Sequence, residues 1–444
     1  MAPPHVRRAS GCEGGGLTGS PTARLAFAEQ GERKSPEAFD RGTDDFRPPF
    51  FRGEWEGNFA AGGNAFQRWP VDVENRNGWD AIRGFLRGEL HDLVTIQRSE
   101  RSWQMAFAAA TSNALPLFAG AYLGELADGV VASLGGFAFL YLPVAPLARR
   151  IGVVAACASG LTACYALGLM SQEAPLTQAC LLAGIVAVTR MLRRVNAIGP
   201  AASLFFVMVS AIGAYTPMAT EGMGRLVGLV GLGGAWACVV TLAYGLHARA
   251  GGNGRKPAPG ASESFRWLAF DAAVVGAGVA LSLMAAQALE VERPYWVPVA
   301  CIAVLQGATL RAMWSRQVHR VIGTSIGLLV TWGLLLLPLD KWSVATLILM
   351  LVFIVEMAVV RHYAFAAIFI TPMAILLAEA ATLGEPVSGT ALIRARFLDT
   401  CLGTFVGFLG GVALHWSPFR SAAEKLIAER EKNPGFARGP GPGG

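Results

Sequence analysis

Between residues 103 and 416 the chain is mostly apolar stretches separated by short polar connections, and this pattern constrains the fold more than any other feature. A run of roughly 18 or more apolar residues is long enough to cross a bilayer's hydrocarbon core as a helix. About twelve such runs can be drawn, at 103–123, 129–147, 151–171, 174–191, 197–217, 224–246, 267–288, 295–310, 320–338, 342–360, 363–380 and 396–416. The fourth and eighth are short and flanked by proline, which fits a tilted or re-entrant segment as well as a crossing. Only 15% of the residues are charged, against about a quarter in soluble domains. The expected class is all-α integral membrane, with about twelve transmembrane helices.

The connections alternate in charge. One set carries Arg98 and Arg101, Arg149 and Arg150, Arg190, Arg193 and Arg194, Arg249, Arg255 and Lys256, Arg311, Arg316 and Arg320, Arg361, then Arg420 and Lys425. The intervening set carries mainly Glu125, Asp128, Glu173, Glu221, Glu290, Glu292, Asp340 and Glu385. Basic connections stay in the cytoplasm, so both termini are expected there and the number of crossings is even. The formal charge of +6 is then mostly a topology signal. No basic face interleaved with aromatics argues for a nucleic-acid partner. Six of the seven cysteines (Cys157, Cys164, Cys180, Cys238, Cys301 and Cys401) fall inside apolar runs, so no disulfide framework is expected. No His/Cys cluster suggests a metal, and no cofactor is expected.

Residues 1–76 lack hydrophobic periodicity and read as a disordered N-terminal region. Trp79, Ile82, Phe85, Leu86, Leu90 and Leu93 recur at helical spacing opposite Arg83, Arg87 and Asp92, which predicts an interfacial amphipathic helix over 77–101. The stretch "ARAGGNGRKPAPGASES" has linker composition and marks a cytoplasmic linker at 248–265. It separates a first block, 102–247, from a second, 266–416, and leaves 417–444 as a cytoplasmic tail. "RRIGVVAACASG" (149–160) parallels "RVIGTSIGLLVT" (320–331), and "RRVNA" (193–197) parallels "VRHYA" (360–364). Arg225 and Arg396 each open the last run of a block. Six plus six runs inserted in the same sense predict two parallel six-helix repeats, with a pathway at their interface.

In "WSRQVHRVIGTSIG" (314–327), Arg316 and Arg320 lie one helical turn apart, and Gly323 and Gly327 follow on roughly the face of Arg320. Long cationic side chains at a cytoplasmic mouth can snorkel to water or phosphate. Glycines at that spacing let a neighbouring backbone come close, as lipid-embedded helices require. Anchoring plus tight helix packing accounts for most of this stretch without any transport role.

Three stretches together resemble the fusaric acid resistance, or aromatic acid exporter, superfamily. "RPYWVPVACIAVLQGATLRAMWSRQVHRVIGTSIGLLV" (293–330) is similar to its Tyr-Trp helix, basic loop and R-x-x-G-T-x-x-G helix. "RHYAFAAIFITPMAILL" (361–377) resembles its R-x-Y…F-I-T-P helix, and "RFLDTCLGTFVG" (396–407) its closing R-x-x-D-T-x-x-G helix. The second block matches throughout and the first mainly in layout. The resemblance implies efflux of aromatic carboxylates and brings Tyr363, in the R-x-Y motif, among the pathway candidates. Many bacterial members carry a large cytoplasmic domain between or after the blocks, whereas this chain has a short linker there.

An ionised side chain inside the bilayer costs roughly 2.5–3.5 kcal/mol on insertion scales, so each needs a partner or a role. Asp271 and Glu356 sit near the cytoplasmic ends of their runs, within reach of Arg311, Arg320 or Arg361. Two readings stand: helix-orienting salt bridges, or a vestibule whose arginines attract an anion and whose carboxylates exchange protons. Asp399, with Arg396 and Arg394, is either an interfacial salt bridge or a release-side gate. Tyr295 and Trp296 fit an aromatic belt at the external interface, with stacking of an aromatic substrate as the alternative. Thr371–Pro372 predicts a kink near mid-span. Gln306 suits an interhelical bond or a substrate contact, and Gln287 simple solvation at the outer surface.

The expected function is a bacterial inner-membrane efflux transporter for organic anions, aromatic carboxylates above all, driven by the proton gradient or the membrane potential. A gated anion channel and a non-transporting scaffold for envelope assembly remain as alternatives. The expected partners are the lipid bilayer, small organic anions, further copies of the chain in a homo-oligomer, and a periplasmic adaptor (membrane fusion) protein. No Walker A lysine motif or G-x-S-x-G elbow occurs, so enzymatic activity is not expected.

Overall fold

The computed structural model describes residues 101–196, 202–217, 222–249, 265–307, 309–380 and 389–415, together with 83, 87, 88 and 91. The chain divides into two units, Met1–Arg52 and Gly53–Gly444, and every described residue lies in the second. The expected disordered region, nearly all of the linker and the C-terminal tail lie outside the described residues. Of the expected interfacial helix, Arg83, Arg87, Gly88 and His91 are described and are helical.

Every described element is helical. In the first block these are α1 (Trp103–Leu123), α2 (Leu126–Gly136), α3 (Leu147–Met170), α4 (Pro175–Asn196), α5 (Ala202–Tyr215) and α6 (Met223–Arg249). A 3-10 turn, Phe137–Tyr141, extends α2. The second block holds α7 (Phe265–Ala288), α8 (Trp296–Leu305), α9 (Leu310–Leu335), α10 (Lys341–Ala358), α11 (Tyr363–Glu379) and α12 (Gly389–His415). Among the described residues seven helices are long and apolar enough to cross a membrane: α3, α4, α6, α7, α9, α10 and α12. The elements at Leu126–Tyr141, Ser203–Tyr215, Trp296–Leu305 and Tyr363–Ala378 are apolar but shorter.

Local chemistry sets the helix starts. Ser102 Oγ accepts from Met105 N at 3.3 Å, Thr309 Oγ1 from Ala312 N at 3.1 Å, and Asp340 Oδ1 from Ser343 N at 2.9 Å. Each satisfies an amide that has no partner within its helix. Gly124, at φ 86°, ends α1 in the left-handed region that glycine adopts freely.

Packing within the two blocks follows one scheme. In the first, α1 packs on α2 and α6, α2 on α6, α3 on α5 and α6, and α4 on α5. In the second, α7 packs on α8 and α12, α8 on α12, α9 on α11 and α12, and α10 on α11. The blocks meet where α4 lies on α7, where α10 lies on α1 and, less extensively, where α5 lies on α8. One apolar core runs from α1 through α8 around Tyr165, Phe139 and Leu161, and a second joins α1 to α10 and α11 around Leu117 and Ile348.

Proline and glycine work together at two of these contacts. Pro116 in α1 and Pro372 in α11 have no N–H, which leaves the carbonyls of Ser112 and Ile368 without a helix donor. Each freed carbonyl lies against a glycine of the neighbouring helix, Ser112 against Gly136 and Ile368 against Gly327. The missing Cβ lets these helices approach closely, since a side chain at either glycine would run into that carbonyl.

Candidate functional site

The residues singled out in the second block fall into one connected cluster and two separate seams. The cluster begins on α9. Arg320 is 7% exposed, and its Nη1 donates to the Tyr363 hydroxyl at the start of α11 at 3.1 Å. The Arg316 guanidinium lies 5.5 Å from the centre of the same tyrosine ring. His319 stacks on His362 at 5.8 Å between ring centres, so two imidazoles join the arginines there.

Gly323 and Gly327 hold α9 against α11. A Cβ on Gly323 would lie 2.5 Å from Ala367 Cβ and 2.6 Å from Ala364 O, and one on Gly327 would lie 2.6 Å from Ile368 O. Thr371, 2% exposed, returns its hydroxyl to Ala367 O at 3.0 Å and so remains within α11. Gln306, where α8 ends, keeps a buried Nε2 with no hydrogen-bond partner.

The cluster continues onto α12. Arg396 is 6% exposed, with its guanidinium carbon 3.9 Å from the centre of the Trp296 ring. Asp399, fully buried, has no hydrogen-bond partner at either carboxylate oxygen. Arg320 and Arg396 act on one another electrostatically. Nε of each arginine is also buried without a partner. Among the described residues no carboxylate forms an ion pair with either one. Among the described residues this cluster thus holds two buried guanidiniums, Arg320 and Arg396, and one buried carboxylate, Asp399, none of them in a salt bridge.

Asp271 and Glu356 lie elsewhere, and their expected partners are corrected. Asp271 on α7 pairs with Arg190 on α4, which also donates to Leu305 O at 3.3 Å. Glu356 on α10 pairs with Arg101 at the start of α1, with Nη1 to Oε2 at 2.7 Å. Both pairs cross between the blocks, whereas sequence proximity suggested Arg311, Arg320 or Arg361. Arg190 had been counted only as a cytoplasmic loop charge. Its place inside the apolar run of α4 was the available signal for a buried partner.

Gln287 is also corrected. It is half-buried rather than simply solvated, and its Nε2 bonds Gln178 Oε1 and the Tyr215 hydroxyl, each at 2.8 Å, tying α7 to α4 and α5. Trp296 is 7% exposed and lies against the Arg396 guanidinium, inside the protein rather than in an exposed aromatic belt. Among the described residues no group of three or more His, Cys, Asp or Glu side chains is placed to hold a metal ion.

Chemically, the cluster presents two desolvated guanidiniums, a tyrosine hydroxyl, a tryptophan face and an unbonded carboxyl. A carboxylate with an aromatic or aliphatic body would meet charge at one end and ring or aliphatic surface at the other.

Comparison with known proteins picks out the same part of the chain. Residues 279–410 match the family model described as fusaric acid resistance protein-like. A stretch of 150 residues is 33% identical to the uncharacterized membrane protein YvaC of Bacillus subtilis (strain 168), covering 34% of this chain and 23% of that protein. The chain therefore spans less than a quarter of that relative's length. No solved structure matches the chain. Arg316, Arg320, Tyr363, Arg396 and Asp399 all fall inside the matched region. Residues 279–410 thus match the fusaric acid resistance protein-like family model, in a chain whose described residues include seven helices long and apolar enough to cross a membrane.

Proposed function

We propose that the protein is a bacterial inner-membrane exporter of organic anions, aromatic carboxylates above all, whose route passes Arg320 and Arg396. The observation that carries this reading is the buried positive charge in the second block. On insertion scales each guanidinium inside the bilayer costs roughly 2.5–3.5 kcal/mol, and among the described residues neither arginine has a paired carboxylate to offset it. A passing organic anion supplies the missing charge. Tyr363 and Trp296 hold the two guanidiniums.

The proposed architecture is twelve crossings in two parallel six-helix repeats, with both termini in the cytoplasm. The matching packing schemes of the two blocks support it, as do the paired seams α4 on α7 and α10 on α1. Residues 77–101 then lie in the cytoplasmic interface, and 248–265 link the repeats. The membrane potential alone can drive export: an anion leaving an inside-negative cell gains roughly 2.3 kcal/mol per charge per 100 mV. Homo-oligomerisation and docking to a periplasmic adaptor protein belong to the same proposal.

The test is deletion and complementation scored against a panel of aromatic acids, with their intracellular accumulation measured. Accumulation of one or more acids in the deletion strain, reversed by the full chain, is the expected result. Unchanged accumulation across the panel, with partner complexes lost on deletion, would favour the scaffold instead. Saturation of flux in proteoliposomes separates a carrier from a channel.

A further inference from the structure

We infer that Asp399 is a proton-binding group that competes with the transported carboxylate for Arg396, making anion binding depend on Asp399 holding a proton. The inference rests on the reading of Arg396 as an anion contact and adds a second ligand, the proton, to that site.

Asp399 lies about 15 Å along α12, counting 1.5 Å per residue from the helix start. It is fully buried, and neither of its oxygens has a hydrogen-bond partner. A carboxyl group in such a place is relieved by a proton or by a cation. The nearest candidate cation is Arg396, one turn earlier on the same face of the helix. Its guanidinium is nevertheless engaged with the Trp296 ring at 3.9 Å, and its Nε is unbonded. This arrangement suits a carboxyl that carries its proton. When the proton leaves to water, the Asp399 carboxylate and the guanidinium can form a neutral pair. A substrate carboxylate needs that same guanidinium, so ionised Asp399 and the anion exclude one another.

The neighbouring charges leave Asp399 as the carboxyl best placed for this exchange. Arg293 and Glu292, from the connection before α8, act on Asp399, and Tyr295, Arg293 and Arg320 act on Arg396. Glu292 is shared with Arg394 at 3.7 Å. On α8 the titratable side chain is the Cys301 thiol, which bonds Gly278 O at 3.5 Å. The charged residues of α7, Arg266 and Asp271, lie at its far end, where Asp271 is held by Arg190. His415 closes the opposite end of α12.

Arg293, Trp296, Ile375, Ala378, Leu392 and Arg396 line a cleft with room for about one water. An aromatic acid enters only as the guanidinium moves off the tryptophan, and Asp399 must not capture it when it does. In the proposed topology this end of α12 faces the periplasm. External acid, the condition that drives weak acids into a cell, would then make Arg396 available to them.

The test uses the purified full chain and two probes, benzoate and benzenesulfonate, the second remaining charged at every pH used. Wild-type protein should bind benzenesulfonate more weakly as pH rises, by up to about tenfold per pH unit where one proton is linked. In weakly buffered solution, binding should take up as much as one proton per anion. Asp399→Asn should bind with the low-pH affinity at every pH. Wild-type binding that is independent of pH and takes up no proton would overturn the linkage and leave the anion site standing. So would pH dependence that persists in Asp399→Asn. Failure of wild-type protein to bind either probe at any pH would overturn the aromatic-anion reading itself. The proton-uptake measurement needs no variant, so a misfolded Asp399→Asn leaves the question decidable.

Discussion

Arg149 and Arg225 of the first block correspond in sequence to Arg320 and Arg396 of the second, yet the two pairs meet opposite environments. Arg149 is exposed, and the Arg225 side chain is 63% exposed and paired with Asp128. Arg320 and Arg396 are 7% and 6% exposed and have no ion-pair carboxylate among the described residues. The helices that carry them differ in the same way. Between α3 and α6 lies an apolar groove of about 500 Å³ whose walls include Ala155, Ala158, Thr162, Gly231 and Ala235, with no charged side chain. Arg320 on α9 and Arg396 and Asp399 on α12 are instead buried charged side chains. One packing scheme thus carries two different interiors, and the proposed anion route belongs to the second.

The largest expected effect tests how tightly α9 packs on α11. Gly323→Leu should abolish accumulation of folded protein, because its Cβ alone would already lie 2.6 Å from Ala364 O. Gly152, the counterpart of Gly323 in the first block, has nothing within 4 Å of a Cβ. Gly152→Leu should therefore accumulate normally. Equal expression of the two variants in membrane fractions would break the comparison at its most mechanical point.

The seams between the blocks come next. Removing one partner of a buried ion pair strands the other. Arg190→Gln should cost about 1–3 kcal/mol, less than for a fully buried pair because Asp271 keeps 20% of its side chain exposed. Arg101→Gln should cost more, since it strands Glu356, whose side chain is 10% exposed against 20% for Asp271. A double-mutant cycle on each pair, read by thermal unfolding in detergent, measures both couplings. A larger coupling for Arg190 with Asp271 would reverse this ranking.

Much of the fold was legible in the sequence, and the reasons it was not fully so are physical. The apolar run drawn at 267–288 became α7 at Phe265–Ala288, and that at 342–360 became α10 at Lys341–Ala358. By contrast, α9 begins at Leu310, ten residues before its apolar run, because Thr309 caps a first stretch whose polar face hydropathy does not register. The site was legible only in part. Arg316, Arg320, Tyr363, Arg396 and Asp399 could be selected as ionisable or motif residues. The partners of Asp271 and Glu356 could not, since they lie 81 and 255 residues away and belong to another helix packing on the same seam. Trp296 beneath Arg396 required the register of α8 on α12, which periodicity does not supply.

The smallest expected effect contrasts how the fourth helix of each block begins. Asp340 caps α10, and hydrogen bonds from the Ser343 hydroxyl and amide hold its carboxyl below the usual carboxylate range. A carboxyl lowered on folding stabilises above its unfolded value, and that contribution is lost as pH falls through the lowered value. The start of α10 should therefore stay protected from hydrogen exchange between pH 7 and 5 and fray only in stronger acid. Asp340→Ala should remove that acid step. α4 begins at Pro175, which has no group to titrate, and should show no such step. Equal acid fraying of both helix starts would place its cause outside Asp340.

The most direct test of the central claim is efflux of labelled benzoate from cells, normalised to protein in the membrane, for Arg320→Gln beside Arg149→Gln. If the buried arginines of the second block carry the anion, Arg320→Gln should cut efflux at least tenfold at normal abundance. Arg320→Lys should recover only part of the loss, because an ammonium cannot make the planar two-point contact of a guanidinium. Arg149→Gln should export within twofold of wild type. Equal efflux from Arg320→Gln and wild type at equal abundance, or an equal loss in Arg149→Gln, would contradict the account.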